Sequence, residues 1–287
     1  MNPAVVAIIK GGLGNQLFGY AAARAYALRS GRELWIDDRS GYHRDGYGRS
    51  YRLQRFPIAA RPADPRFQLG DPKKLRHKWV RSLNKILPTH LRNYHAERSG
   101  QPAAGLIDFH SNRETIYLNG YWQDEACFSD FAAPIRQELD PPALKSPEDR
   151  ELEREIEESC SVFLHIRRVR YSPRLGADYY QSSISAARQA LADCCFEVFG
   201  DDIGWAREHL DFSGSPVRFH ESGSDDELRD FRLMSRCRHA ITANSSFSWW
   251  AAWLIDAPDK KVWFPQTPGW PVKAAARWTQ VPNSLES

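Results

Sequence analysis

Short apolar runs alternate with helical patterns along this chain, and the alternation limits its fold more than any other feature. Residues 5–9 read as a buried strand. The glycine-rich loop Lys10-Gly11-Gly12-Leu13-Gly14-Asn15 follows, and residues 16–28, rich in Ala and Leu, carry a helical pattern. Residues 33–36 and 115–118 are further strand candidates, separated by long insertions. From Asp140 to Pro147 the run Asp-Pro-Pro-Ala-Leu-Lys-Ser-Pro cannot sustain a helix, which places a boundary between domains 1–146 and 147–287. The charged helix pattern 148–158 then precedes strands over 161–166, 196–199, 217–219 and 239–242. These alternate with helices over 179–191, 205–210, 225–236 and 247–254. Such alternation predicts an α/β chain of two doubly wound units with mostly parallel sheets.

Composition narrows the class further. Hydrophobic residues make up 42% and charged residues 26% of 287, which excludes a disordered or fibrous chain. The apolar stretch 4–9 is too short for a signal-peptide core or a membrane span, and no later stretch is long enough either. Five cysteines without a CxxC pair suggest neither a disulfide framework nor a zinc site, so reduced thiols and a cytoplasmic setting are expected. The net charge of +3 is mild, and no nucleic-acid partner is expected, but the charge is uneven. Residues 73–98 hold eight Lys or Arg against the single acid Glu97, with Leu75, Trp79, Leu83, Ile86 and Leu87 at helical spacing. This basic amphipathic stretch is of a kind that can lie peripherally on an anionic membrane surface. The alternative, and the commoner arrangement, is a solvated helix whose apolar face packs on its own domain.

Four clusters carry groups suited to chemistry. The first is His165-Ile166-Arg167-Arg168, where a strand ends and the chain leaves through two guanidiniums. In an open parallel sheet, ligands sit beyond the carboxyl ends of the strands, and each guanidinium is a rigid fork that matches phosphate oxygens. The second is Asn244-Ser245-Ser246-Phe247 at a strand-to-helix passage. Hydroxyls there cap free backbone amides and share them with an anion, or act as plain caps. The third is the loop holding Gly12, Gly14, Asn15 and Gln16. It matches neither GxGxxG nor GxxxxGK[ST], yet it offers close backbone approach and side-chain amides. The fourth is Asp201-Asp202 at another strand end, suited to a guanine or ribose edge or to capping the next helix. No Asp-x-Asp occurs, which argues against a metal-held diphosphate and leaves the arginines as the electrophile; no metal and no cofactor are expected.

Together these pieces resemble the bacterial α-1,2-fucosyltransferases of glycosyltransferase family 11. Gly11-Gly12-Leu13-Gly14-Asn15-Gln16-Leu17-Phe18, Gly120-Tyr121-Trp122-Gln123, His165-Ile166-Arg167-Arg168, Phe199-Gly200-Asp201-Asp202, Leu233-Met234 and Asn244 to Trp250 occur in the family's order across nearly the whole chain. The resemblance implies a GT-B-like architecture of two Rossmann-like domains, the first on the acceptor side and the second holding the GDP-sugar. It further implies GDP-fucose as donor, no metal, and inversion at the anomeric carbon. By position, Arg167 and Arg168 would hold the β-phosphate with His165 beside the nucleotide, and Ser245, Ser246 and Phe247 would cradle the phosphates. Asp202 or Asp201 would hold the nucleoside, with Asn15 and neighbouring glycines approaching the fucose. The acceptor would be an oligosaccharide or a lipid-linked glycan. Arg170 stands where the family has an acidic residue, a change that either takes an orienting partner from the arginines or alters acceptor handling. The base is open among Asp37, Asp38, Asp124 and Asp178. Two competing readings are another GDP-deoxysugar as donor, and a nucleotide- or carbohydrate-binding protein without turnover.

Overall fold

A computed structural model describes residues 3–43, 45–65, 67–71, 73, 75–98, 103–169, 171–212, 214–221, 227–283 and 285–286. Lys74, Arg170 and Asp225, all invoked above, lie outside the described residues. The chain divides into two compact units, Met1–Asp140 and Pro141–Ser287. The division falls ahead of the boundary expected after residue 146. The proline run goes with the second unit, where the Pro141 carbonyl accepts a hydrogen bond from Arg232 Nη1 at 2.5 Å.

In the first unit, β1 (Ala4–Ile8) leads through the glycine loop into α1 (Leu13–Ser30), followed by β2 (Glu33–Asp37), β3 (Arg61–Pro62), α2 (Leu75–Ile86), β4 (Tyr94–Ala96), β5 (Thr115–Asn119) and α3 (Ala132–Glu138). Its sheet has the order β3-β2-β1-β5-β4, with every pair parallel. The core strand β1 is buried along its whole length, as its unbroken run of Ala, Val and Ile requires. α1 is longer at its start than the Ala/Leu pattern alone suggests, because Gly12 serves as its N-cap. It ends at Gly31, whose positive φ of 63° lets its N–H turn back to the carbonyls of Ala27 and Leu28.

α2 reverses the commoner of the two arrangements expected for it. Its buried residues include His77 and Asn84, both hydrogen-bonded, while Leu75, Trp79, Leu83 and Ile86 face outward. Asn84 Oδ1 accepts from the N–H groups of Asn93 and Tyr94 at 2.7 and 3.0 Å, so it is a polar side chain that fastens the helix to β4.

The second unit runs α4 (Pro147–Glu158), β6 (Ser161–Ile166), β7 (Arg174–Leu175), α5 (Ala177–Ala190), β8 (Cys195–Gly200), α6 (Ile203–His209), β9 (Val217–Phe219), α7 (Glu227–Arg236), β10 (His239–Ile241), α8 (Ser246–Leu254), β11 (Val262–Pro265), β12 (Thr279–Val281) and β13 (Leu285–Glu286). Its main sheet is all parallel in the order β12-β11-β10-β6-β8-β9; β13 pairs antiparallel with β7. The chain therefore leaves β6 toward β8 and β9, then crosses back to lay β10, β11 and β12 on the other side. That puts the topological switch point between β6 and β10. The first sheet has its own between β1 and β5. At such points the loops diverge and leave a crevice at the strand carboxyl ends.

The strands β3, β4, β11 and β12 were not among the expected ones. Each has four residues or fewer, too few for a period to appear. β11 is fully buried but begins directly after Lys260-Lys261.

Within the first unit, Glu138 on α3 holds α1 in place: it accepts from the Tyr20 hydroxyl at 2.5 Å and from Arg24 at 2.7 and 3.0 Å. Removing this carboxylate strands a mostly buried guanidinium and a buried hydroxyl. Glu138→Ala should therefore destabilise the first unit by about 3 kcal/mol, read as an earlier transition in urea unfolding.

Candidate active site

At the switch point of the second unit three strand ends converge. β6 continues into Arg167-Arg168, β8 into Asp201-Asp202, and β10 into Thr242 to Ser245. Pairing sets His165 against Phe199 and Ile166 against Gly200. Gly200 has φ of 149°, and a Cβ added there would stand 2.2 Å from the Ile166 carbonyl oxygen. Only glycine lets β8 come this near to β6.

That approach brings Asp201 beneath the arginines. Its Oδ1 accepts from the Arg168 backbone N–H at 2.7 Å, and its Oδ2 from Arg167 Nη1 at 2.5 Å. The two arginines, adjacent in sequence, stand in different surroundings. Arg168 is 9% exposed; its guanidinium lies 3.9 Å over the Trp205 ring, and Nη1 donates to the Leu175 carbonyl at 2.9 Å. Arg167 has 38% of its side chain exposed and reaches solvent, with its guanidinium 5.3 Å over the Tyr171 ring.

Asp201 and Asp202, expected at a nucleoside edge, are both engaged within the protein. Asp201 holds the arginines, and Asp202 caps α6 by accepting from the Trp205 N–H at 3.2 Å, 3.8 Å from Arg168 Nε.

Across the switch point, the Tyr171 hydroxyl donates to the Asn244 carbonyl, and Asn244 Nδ2 donates to the Pro173 carbonyl at 2.9 Å. These bonds tie the segment after the arginines to the start of α8. Ser245 is the N-cap of α8, its Oγ accepting from the Phe247 N–H at 3.3 Å, and Ser246 opens the helix. α8 is fixed by Trp249, Trp250 and Trp253, all buried, and Trp249 Nε1 donates to the Lys273 carbonyl at 2.8 Å. The positive end of a helix dipole is therefore presented rigidly at the strand ends.

His165 is buried, with its ring 5.6 Å from that of half-buried Phe247. Burial, followed by the charge of Arg167, lowers its pKa to about 3, so the imidazole stays neutral. Its Nδ1 and Asn244 Oδ1 are buried without a hydrogen-bond partner.

The first unit's strand ends are built differently. Gly11 has φ of 79° and Gly12 caps α1, while Gly14 lies within the helix. Gln16 is 1% exposed, and its amide is fully used: Nε2 donates to the carbonyls of Gly11 and Ser50, each at 2.9 Å, and Oε1 accepts from the Arg52 N–H at 2.8 Å. It braces the loop rather than facing a ligand. Asn15 Oδ1 accepts from Gln123 Nε2 at 2.8 Å, which joins the glycine loop to the Gly120-Tyr121-Trp122-Gln123 turn. That turn is tight, since Trp122 has φ of 52° and a Cβ on Gly120 would stand 2.6 Å from Glu97 Cβ.

Sequence reasoning did not nominate Lys10, Tyr42 or Tyr121 in this unit. Lys10 Nζ donates to Asn119 Oδ1 at 2.8 Å and lies 4.9 Å over the Tyr121 ring; burial lowers its pKa. The Tyr42 hydroxyl is buried without a hydrogen-bond partner, and burial followed by nearby Tyr51 raises its pKa. Lys10, directly after an apolar strand, was the available signal. Of the four base candidates, Asp37 is completely buried and accepts from the N–H groups of Arg39, Ser40 and Leu69, while Asp124 accepts from the Ala126 N–H. Both act as turn braces. Asp38 is half-buried near Tyr42 and Tyr51, and Asp178 lies in the first turn of α5.

The depressed pKa of His165 has a definite sign in stability. Between about pH 6.5 and about pH 3 the unfolded chain holds a proton on this imidazole that the folded chain refuses, so its contribution is present above 6.5 and lost as pH falls toward 3. Chemical denaturation from pH 7 to pH 4 should show a shallower decline for His165→Gln than for the parent. At the neighbouring strand end, Gly200→Ala should lower the melting temperature, measured by thermal shift, because its Cβ would drive β8 off the Ile166 carbonyl.

The profile described as Glycosyl transferase family 11 matches residues 4–262. The chain is 32% identical over 266 residues to an α-1,2-colitosyltransferase of Escherichia coli, covering 87% of each. It is 29% identical over 286 residues to the O-antigen biosynthesis glycosyltransferase WbnK of Escherichia coli, covering 90% of this chain and 92% of that one. The solved structure of NodZ α-1,6-fucosyltransferase soaked with GDP-fucose matches with a TM-score of 0.54 at 20% identity, covering 89% of this chain and 93% of that one. A likeness at that identity speaks for the fold, which with its two mostly parallel α/β sheets is of the GT-B kind. The chain belongs to glycosyltransferase family 11 and is a glycosyltransferase.

Proposed function

We propose that this glycosyltransferase moves L-fucose from GDP-fucose, with inversion, to a galactose-type hydroxyl of an oligosaccharide or lipid-linked glycan. The observation that carries the reading is Arg167 held by Asp201 at the switch point of the second unit, next to the unmatched Nδ1 of His165 and the capped start of α8. A diphosphate needs donors of this kind on its bridging and terminal oxygens. Arg167 is the group with solvent access to meet it, and buried Arg168 sets the course of the chain that carries Arg167.

In this reading the acceptor oxygen forms a bond to the anomeric carbon on the face opposite the diphosphate. The bond from that carbon to the β-phosphate oxygen breaks, and GDP departs with the electron pair. The hydroxyl proton passes to a base or to solvent. Charge grows on the β-phosphate as the bond breaks, and an oriented guanidinium stabilises that charge more than it does the bound donor. The arginines would supply this without a metal, so activity is expected to persist in EDTA. Neutral His165 adds a hydrogen-bonding group beside the nucleotide without repelling Arg167.

A second donor is favoured by one comparison. The similar protein of Escherichia coli is an α-1,2-colitosyltransferase, which makes a GDP-activated colitose the competing donor. GDP released from a panel of GDP-sugars, each with a β-galactoside acceptor, decides between them; preference for a GDP-sugar of neither kind would overturn both.

Arg167→Ala should lower kcat/KM for GDP release by about 10²-fold or more, with the melting temperature close to that of the parent, because the side chain reaches solvent. Arg168→Ala should lower both, since it also removes the contact with Trp205 and the bond to Leu175. Unchanged turnover in Arg167→Ala would refute its place at the diphosphate.

A further inference from the structure

The outward face of α2 has no counterpart in the donor chemistry. Leu75, Trp79, Leu83 and Ile86 are 75, 62, 40 and 80% exposed. At about 100° per residue the four fall within an arc of about 80°, a continuous apolar stripe on the surface of the helix. Exposed apolar residues scattered singly are ordinary, but four large ones in register along one helix mark a surface that meets something.

The charge around the stripe says what it meets. On the same helical wheel Lys78 and Lys85 lie along one border of the stripe, and residues 73–98 hold eight Lys or Arg against one acid. That acid is already committed, because Glu97 accepts from the N–H groups of Tyr121 and Trp122 at 2.7 and 3.1 Å. A second copy of the chain would bring like charges together along this border. An anionic bilayer satisfies both parts, taking the apolar stripe among its acyl chains and the lysines among its phosphates.

We infer that α2 is an interfacial helix that seats the first unit on an anionic phospholipid surface, with the stripe Leu75, Trp79, Leu83 and Ile86 inserted and Lys78 and Lys85 among the lipid phosphates. The polar inner face explains how the helix tolerates this. His77 and Asn84 attach it to the unit through hydrogen bonds, which frees its apolar residues to point away. No helix among the described residues is long and apolar enough to cross a membrane, so the contact is peripheral. The inference stands on the surface of the first unit and does not rest on the donor assignment.

The test is flotation of the full chain with vesicles of phosphatidylcholine alone and with about one third phosphatidylglycerol, at about 0.1 M and about 0.5 M salt, where screening is short-ranged. The chain should float with anionic vesicles, and part of that binding should survive the higher salt because insertion is apolar. Combined Leu75→Ser, Trp79→Ser and Ile86→Ser should weaken binding at least tenfold, with melting temperature unchanged. Lys78→Glu with Lys85→Glu should abolish the preference for anionic lipid. Brominated lipid should quench more emission in the parent than in Trp79→Phe. Failure of the parent to float, equal binding by the triple variant, or a dimer in sedimentation that the triple variant dissolves would each overturn the inference. GDP release on a soluble acceptor is read separately, so a vesicle result leaves the donor reading intact and the reverse holds too.

Discussion

Two guanidiniums next to each other on a chain repel, and the second unit is organised around holding them together. Asp201 supplies the opposing charge, through one oxygen to Arg167 Nη1 and one to the Arg168 N–H. Its position follows from Gly200, because any larger residue would drive β8 off the end of β6. The Trp205 ring and the Leu175 carbonyl then take Arg168 inward, and Arg167 is left projecting. Helix caps, strand pairing and an ion pair thus converge on the orientation of one side chain.

The fold was legible in the sequence where strands were long and apolar. β6 has the bounds that its pattern predicts, and the rhythm of strand and helix was enough for an α/β chain with mostly parallel sheets. What was not legible was short or reversed. Three residues of β4 have no periodicity, and α2 has an amphipathic pattern that says nothing about which side faces inward. Tertiary bonds from Asn84 to β4 decide that, and they come from residues nine and ten positions along the chain. The order of the strands, and hence the switch points, also lies beyond any local pattern.

At the candidate site the motifs pointed to strand ends and left the roles of their residues open. Amide and carboxylate side chains in glycine-rich turns look equally suited to ligands and to backbone, since both present N–H and C=O groups. Gln16, Asp37, Asp124, Asp201 and Asp202 all turned out to bond within the protein. His165, Asn244 and Tyr42, three of the residues with an unmatched buried group, could be told apart from them only by a hydrogen-bond count in three dimensions.

The pairing of Arg167 with Asp201, and the nearness of Arg168 to Asp202, also sets the electrical character of the crevice. Each of the two guanidiniums has a carboxylate beside it, so part of its charge is offset within the protein. A polyanion passing by meets less of that charge than two bare arginines would present. What the crevice offers instead is direction: one fork, one helix end and a neutral imidazole, each aimed from a rigid support. Selectivity in such a place comes from shape and from hydrogen bonds made together, and it resists changes in ionic strength that would disable a purely cationic trap.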